Sequence, residues 1–216
     1  PDIAGIASVS QNFNIAKKYA AIARQSGASV LVGGAHISSL PGALNADMDA
    51  GVINEGEETI IELMEVFLAK GKFEPSDLAG INGIVRHGEK GPVCTPPRPL
   101  IKEFDSIPFP DRSLLRIKKH THMFTSRGCP YRCMFCFSSR YWNRVRFFSA
   151  KYVLEEIEEL KNRYGVTFVS FFDDLFIADR KRLRQISSMV KERGLDKTTV
   201  FSCLGRANLV DDEAAD

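Results

Sequence analysis

Three cysteines fall within eight residues, Cys129, Cys133 and Cys136, in the run Ser126-Arg127-Gly128-Cys129-Pro130-Tyr131-Arg132-Cys133-Met134-Phe135-Cys136-Phe137. Thiolates spaced in this way on one short loop can converge on a single inorganic cluster. A four-iron cluster normally takes one cysteine per iron. Three cysteines leave one iron open, and an open coordination position is what a substrate-binding metal centre needs. Gly128 and Pro130 suit a tight, preset loop. Arg127 and Arg132 offset the negative charge of a thiolate-ligated cluster. The competing reading is a zinc-stabilised binding module. Zinc in a structural site wants four ligands, commonly as two spaced pairs. His120 or His122, upstream on the preceding strand, could supply the fourth. Cys94 and Cys203 are distant in sequence and read as small buried hydrophobes.

The loop needs a scaffold, and the surrounding periodicities describe one. The segment 121–125 reads as a strand whose carboxyl end delivers the cysteines. A helix follows from an N-cap at Ser149 to Tyr164, with Val153, Leu154, Ile157, Leu160 and Tyr164 facing the core. Val166 to Phe172 is a continuous apolar run, as expected of a strand buried on both faces. Asp173-Asp174 stands at its end. The next helix covers 179–193 and stops at Gly194. A third strand, 199–204, precedes Arg206. These βα units suggest the first half of a barrel.

The residues before this segment carry a second alternating pattern. Ile3 to Ser8 suits a buried strand. The helix over 14–25 has Ile15, Tyr19, Ile22 and Ala23 on one face, and Gly27 stops it. Ser29 to Gly34 is the next strand, and a short helix is expected over Pro41 to Ala46. Gly51-Val52-Ile53 is a strand leading into Asn54-Glu55-Gly56-Glu57-Glu58. The helix that follows, with Ile60, Ile61, Met64, Phe67 and Leu68 apolar, closes at Gly71. Strands separated by helices imply a parallel sheet with crossover helices. Residues 80–93 read as one or two edge strands. Six prolines between Pro92 and Pro110 deny that stretch both helix and central strand. Its apolar residues favour an extended linker lying against a surface. The domains are therefore expected at 1–91 and 115–216, with a proline-rich linker over 92–114.

Bulk composition excludes several classes. The chain has 216 residues, 44% hydrophobic and 26% charged, with a formal net charge of +2. That bias is too weak to argue for nucleic acid or an anionic membrane. No apolar run approaches the roughly 20 residues of a membrane span, and the first residues do not form a secretory signal. Five cysteines, an odd number, do not resemble a disulfide framework and point to a reducing cytoplasm. Residue 1 opens almost directly on a strand, and 209–216 read as the acidic first turn of a helix. Both ends are expected to be cut from a longer protein.

Cys-x3-Cys-x-aromatic-Cys after the first strand of a βα repeat, filled by Cys129, Cys133, Phe135 and Cys136, resembles the signature of the radical SAM superfamily. The resemblance implies a TIM-like partial (β/α) barrel and a [4Fe–4S] cluster. The open iron of that cluster is chelated by the amino and carboxylate groups of S-adenosylmethionine. One electron splits the sulfonium to methionine and a 5′-deoxyadenosyl radical, which takes a hydrogen atom from a small-molecule substrate. A flavodoxin- or ferredoxin-type electron donor is implied. Phe135 is expected beside the cluster and adenine. Asp173 and Asp174 stand where the family binds the methionine amino group, and Arg206 is placed for the carboxylate.

The order Ser8-Val9-Ser10, Gly33-Gly34-Ala35-His36, Asn54 to Glu58, then 103–110 and the cysteine loop resembles the cobalamin-binding class of that superfamily. This likeness implies a flavodoxin-like, Rossmann-type parallel domain, truncated at its N-terminus, ahead of the first three βα units of the barrel. Ser8, Ser10, Gly33 and Gly34 match positions that receive the nucleotide tail of cobalamin. His36 and the loop holding Glu55 and Gly56 match positions near the corrin. Ser10 departs from the usual aliphatic residue, and no Asp-x-His-x-x-Gly motif is visible. Carbon methylation is the expected reaction. Oxidative cyclisation, as in the anaerobic Mg-protoporphyrin ester cyclase, is the alternative, with cobalamin present or the domain vestigial.

Overall fold

A computed structural model describes residues 1–142 and 144–211. The chain divides into two compact units, Pro1–Ile101 and Lys102–Asp216. No helix among the described residues is long and apolar enough to cross a membrane.

The first unit contains β1 (Ile3–Ala7), α1 (Phe13–Gln25), β2 (Ser29–Gly33), α2 (Ala35–Ser39), β3 (Ala50–Val52), α3 (Glu57–Lys70), β4 (Ile84–Gly88) and β5 (Gly91–Cys94). The strands lie in the order β1-β2-β3-β4-β5. β1, β2 and β3 are parallel, whereas β4 and β5 are antiparallel. The sheet is therefore mixed rather than wholly parallel. Pro92 sits in β5, at the sheet edge, where its missing N–H costs no ladder bond. Helices cover both faces. Val30 and Val32 pack with Phe13, Ala16 and Ala20 of α1, and Leu31, pointing the other way, packs with Leu63 of α3.

That packing corrects the expected phase of α1. Ile15, Tyr19 and Ile22 are exposed, at 51%, 60% and 59%. Two stripes compete on this helix, and the alanine stripe lets the backbone lie close against the sheet. Only Ala23 of the expected face packs against the core. On α3, Thr59 and Leu63 are buried while Ile61 and Leu68 face water. The short helix expected over 41–46 is instead α2, followed by a single 3-10 turn, Pro41–Ala43.

The proline-rich stretch is shared between the units. Gly83 N–H donates to the Pro96 carbonyl at 2.8 Å, and Ile101 N–H donates to Glu55 Oε2 at 2.8 Å. Arg98 pairs with Glu58 and Glu62. These contacts hold residues 96–101 on the first unit. Further along, Phe104 is buried in the second unit against Phe148, and Tyr152 Oη donates to the Ile107 carbonyl at 3.0 Å.

The second unit contains β6 (His120–Met123), β7 (Ser126–Arg127), α4 (Ser138–Tyr141), β8 (Arg146–Phe147), α5 (Ala150–Tyr164), β9 (Phe168–Phe171), α6 (Arg180–Glu192) and β10 (Val200–Cys203). β6, β9 and β10 form a parallel sheet in the order β10-β9-β6. Ser149 caps α5, its Oγ accepting from Tyr152 N–H at 3.1 Å, and Asp179 caps α6 in the same way. Gly165, at φ +66°, ends α5. Val153, Leu154, Ile157 and Leu160 are fully buried. A buried ion pair from Arg112 to Glu156 ties the approach to β6 onto α5. Burial pushes the Glu156 carboxyl up, and Arg112 opposes that rise. Near the end, Ala207–Leu209 is a 3-10 turn, and 212–216 of the expected acidic turn lie outside the described residues.

Gly34 gives the first test. It adopts φ +96° and ψ −176°, and a Cβ there would stand 2.5 Å from the Ser8 carbonyl oxygen. The Gly33 Cβ would meet nothing within 4 Å. Gly34→Ala should lower unfolding free energy by about 2 kcal/mol or more, and Gly33→Ala should cost less than about 1 kcal/mol. Urea denaturation of the two variants separates these outcomes.

Candidate radical SAM site

The cysteine loop leaves β6 through Thr125 and is closed at its base by a two-stranded hairpin. Ser126 pairs with Phe147 and Arg127 with Arg146. Phe148 N–H adds a bond to the Thr125 carbonyl at 3.1 Å. Arg127 and Arg146 stack against Phe104 and Trp142, with guanidinium-to-ring distances of 4.8–6.0 Å. Cations held over aromatic faces stiffen the hairpin. Gly128, at φ +96°, threads past Arg144, whose carbonyl oxygen would lie 2.6 Å from any added Cβ. No other residue fits there without moving backbone.

Within the loop, Cys136 N–H donates to the Cys133 carbonyl at 3.0 Å. All three thiols are partly accessible. Met134 and Phe135 project outward, 90% and 91% exposed. Among the described residues, no three His, Cys, Asp or Glu side chains are grouped closely enough to hold one metal ion. A four-iron cluster is ligated corner by corner, so its thiolates stand farther apart than ligands of a single zinc. His120 and His122 turn away to the open face of the sheet. His120 bonds Ser170 Oγ at 2.8 Å, and His122 stacks on Phe172 at 4.0 Å. Ser170 in turn bonds Ser202 at 2.7 Å. Sequence reasoning missed this polar layer, although His120 and His122 alternate on one strand face.

Asp173 does not serve as expected. It is 1% exposed. Its Oδ1 accepts from Thr125 N–H at 2.6 Å, and Oδ2 accepts from Thr125 Oγ1 at 2.5 Å and Ser126 Oγ at 2.6 Å. With both oxygens committed to the root of the loop, Asp173 is a structural clamp, not an ammonium ligand. Arg182 completes the cluster, donating from Nε to the Phe148 carbonyl and from Nη2 to the Thr125 carbonyl, both at 2.8 Å. Burial lowers the Arg182 pKa, and the Asp173 carboxylate opposes that shift. The signal was present in α6, where Arg182 shares the buried stripe with Ile186 and Val190. An arginine in a buried phase must have partners. Asp174 is exposed and accepts from Ser138 Oγ at 2.5 Å. Arg206 lies against the loop, its Nη1 3.6 Å from Cys133 Sγ.

Cys94 and Cys203 are exposed rather than buried, and each is the last residue of its strand. Partial desolvation, then the Asp173 carboxylate, pushes the Cys203 thiol up.

Residues 123–216 match the Radical SAM superfamily. The second unit carries this radical SAM match. An uncharacterized methyltransferase of Pyrococcus horikoshii is 36% identical, over 100% of this chain and 48% of the relative. The anaerobic magnesium-protoporphyrin IX monomethyl ester cyclase of Rubrivivax gelatinosus is 28% identical, over 90% of this chain and 37% of its own. The chain thus spans less than half the length of these relatives. Among solved structures, the radical S-adenosylmethionine methyltransferase TsrM of Kitasatospora setae, with cobalamin and a [4Fe–4S] cluster bound, has a TM-score of 0.78 at 21% identity. That likeness covers 100% of this chain and 47% of TsrM, and establishes fold alone.

In the first unit, the residues matched to the cobalamin tail sit at the carboxyl ends of β1 and β2, where open α/β sheets bind ligands. Ser8 is buried, and its Oγ has no hydrogen-bond partner among the described residues. Ser10 Oγ is 3.0 Å from His36 Nδ1, and His36 stacks on Phe13 at 3.9 Å. Gly34 lies so close to the Ser8 backbone that no side chain fits there. Glu55 is 6% exposed, and its Oε2 accepts from Ile101 N–H. Gly56 is the N-cap of α3, and Asn54 before it adopts φ +62°.

The clamp is testable. Asp173→Asn removes the charge facing Arg182 and turns one acceptor into a donor. It should destabilise the second unit by about 3 kcal/mol, as loss of one partner in a buried charged cluster does. A loss below about 1 kcal/mol in urea denaturation would show that the clamp carries little.

Proposed function

We propose that this radical SAM enzyme holds a [4Fe–4S] cluster on Cys129, Cys133 and Cys136, binds S-adenosylmethionine at the open iron, and uses cobalamin in its first unit to methylate an unactivated carbon of a small molecule. The observation that carries this is the cysteine loop, rooted by a hairpin and a buried clamp at the carboxyl end of a parallel strand. The residues present fit the cluster: three partly exposed cysteines share one short loop, whose base is pinned where Gly128 passes the Arg144 carbonyl. They also fit a cobalamin tail, since the orphaned Ser8 hydroxyl needs an acceptor or donor and Gly33 faces open space. The order β1-β2-β3 corresponds to the last three strands of a flavodoxin-like sheet. In the same terms, β6, β9 and β10 with α5 and α6 are the first βα units of a (β/α) barrel.

When bound, the cluster supplies the electron that splits the sulfonium to methionine and a hydrogen-abstracting 5′-deoxyadenosyl radical, and cobalamin supplies the methyl group. The chain's own residues do the positioning. Asp174, the exposed member of the pair, offers its carboxylate to the methionine ammonium. Phe135 offers a ring face to adenine. Phe124, Phe172 and Leu204, 59%, 50% and 64% exposed, line the open end of the second sheet and exclude water from a radical. An electron donor of flavodoxin or ferredoxin type completes the proposal. Similarity to the cyclase favours oxidative ring formation as the second reading, and product analysis separates a gained methyl from lost hydrogens.

Anaerobic reconstitution of full-length protein with iron and sulfide should produce the broad charge-transfer absorption of a [4Fe–4S] centre. The triple Cys129→Ala, Cys133→Ala, Cys136→Ala variant should lack it. Stoichiometric zinc without that chromophore would support a zinc-stabilised module instead. Hydroxocobalamin should co-elute with the protein in gel filtration, and Gly33→Val should abolish retention while iron content stays unchanged. If the unmodified protein retains none, the first unit is a vestigial module.

A further inference from the structure

The Arg206 guanidinium is fixed on three sides. Its Nε donates to Asn208 Oδ1 at 3.2 Å. Its plane lies over the Tyr131 ring, 3.8 Å from the centroid. Its Nη1 points to Cys133 Sγ at 3.6 Å, within reach of a hydrogen bond to sulfur. Tyr131 stands between Cys129 and Cys133, so one side chain from beyond β10 grips the cysteine loop at its midpoint and at its central thiol. A residue free to wait for a carboxylate would not need this packing.

We infer that Arg206 is a positioning residue for the cluster itself: it donates to the Cys133 thiolate, and its charge, held there by Tyr131, favours the reduced cluster. This inference rests on the proposed [4Fe–4S] assignment to Cys129, Cys133 and Cys136. The physical reason is electrostatic. Reduction adds one negative charge to the cluster, and a guanidinium in contact with a ligating sulfur is attracted more strongly to the reduced form. Hydrogen bonds to the sulfurs are among the features that set such potentials. Tyr131 shields one face of the guanidinium from water, which limits screening of the charge. A guanidinium has five N–H donors, so Nη2 stays available to a substrate carboxylate, and the two roles are compatible.

The test is a redox titration of reconstituted full-length protein without S-adenosylmethionine, followed by electron paramagnetic resonance. Arg206→Gln should lower the reduced-to-oxidised ratio at fixed solution potential about tenfold, a shift of about 59 mV for one electron. Arg206→Lys keeps the charge and should recover most of the ratio. Tyr131→Leu should move the potential in the same direction as Arg206→Gln, and Tyr131→Phe should leave it in place. A fully loaded Arg206→Gln protein with an unchanged potential, and weaker S-adenosylmethionine binding alone, would overturn the inference. If Arg206→Gln loads too little iron to titrate, Tyr131→Leu decides, and an unchanged potential there overturns it equally. Absence of any cluster in the unmodified protein would instead remove the assignment on which the inference rests.

Discussion

A carboxylate almost wholly removed from water needs donors, and Asp173 draws them from both residues that begin the cysteine loop. Leaving such a group unsatisfied costs several kcal/mol, so the loop root has little freedom while Asp173 stays buried. Arg182 fixes the other side by bonding the Thr125 and Phe148 carbonyls, which flank the hairpin. The ends of β6 and β9, the short strands β7 and β8, and α6 are thereby joined through one polar cluster. Everything farther out, from Gly128 to the thiols, inherits its position from that root.

Above the root the chemistry changes character. The clamp is dry and committed, whereas the cysteines, Phe135 and Asp174 are accessible. Rigid support beneath an open reactive surface is the arrangement that precise sites require. The first unit uses a different device for the same end. Small residues on α1 bring the helix close to the sheet. β1 and β2 approach so tightly at Ser8 and Gly34 that the strand ends form a firm rim with a buried hydroxyl in it.

The cysteine spacing was legible because all three residues lie in one short stretch, where no tertiary knowledge is needed. Helix ends at Ser149 and Gly71 were legible for the same reason: caps are local. The phase of α1 was not, because Ile15-Tyr19-Ile22 and Phe13-Ala16-Ala20 both satisfy helical periodicity and only the sheet chooses between them. Asp173 and Asp174 are adjacent and identical, so composition cannot assign their roles. Burial separates them: Phe171 and Asp173 are buried, whereas Phe172 and Asp174 are exposed. β7 and β8 are two residues each, too short for any period. Arg206 reaches Cys133 across 73 residues, and Glu55 reaches Ile101 across 46. Contacts of that range leave no trace in local pattern.

The clamp also imposes an order in time. Asp173 lies 48 residues after Thr125, and the Arg182 bond to Thr125 spans 57. A ribosome adds residues one by one from the N-terminus. The three thiols therefore emerge while the side chains that will hold their loop do not yet exist. Until α6 has been made and packed, the cysteines ride on an untethered segment, and closing it costs the entropy of a long loop. A shaped loop therefore exists only once that helix is complete, so whatever the three thiols bind meets a finished site late in the folding of this unit.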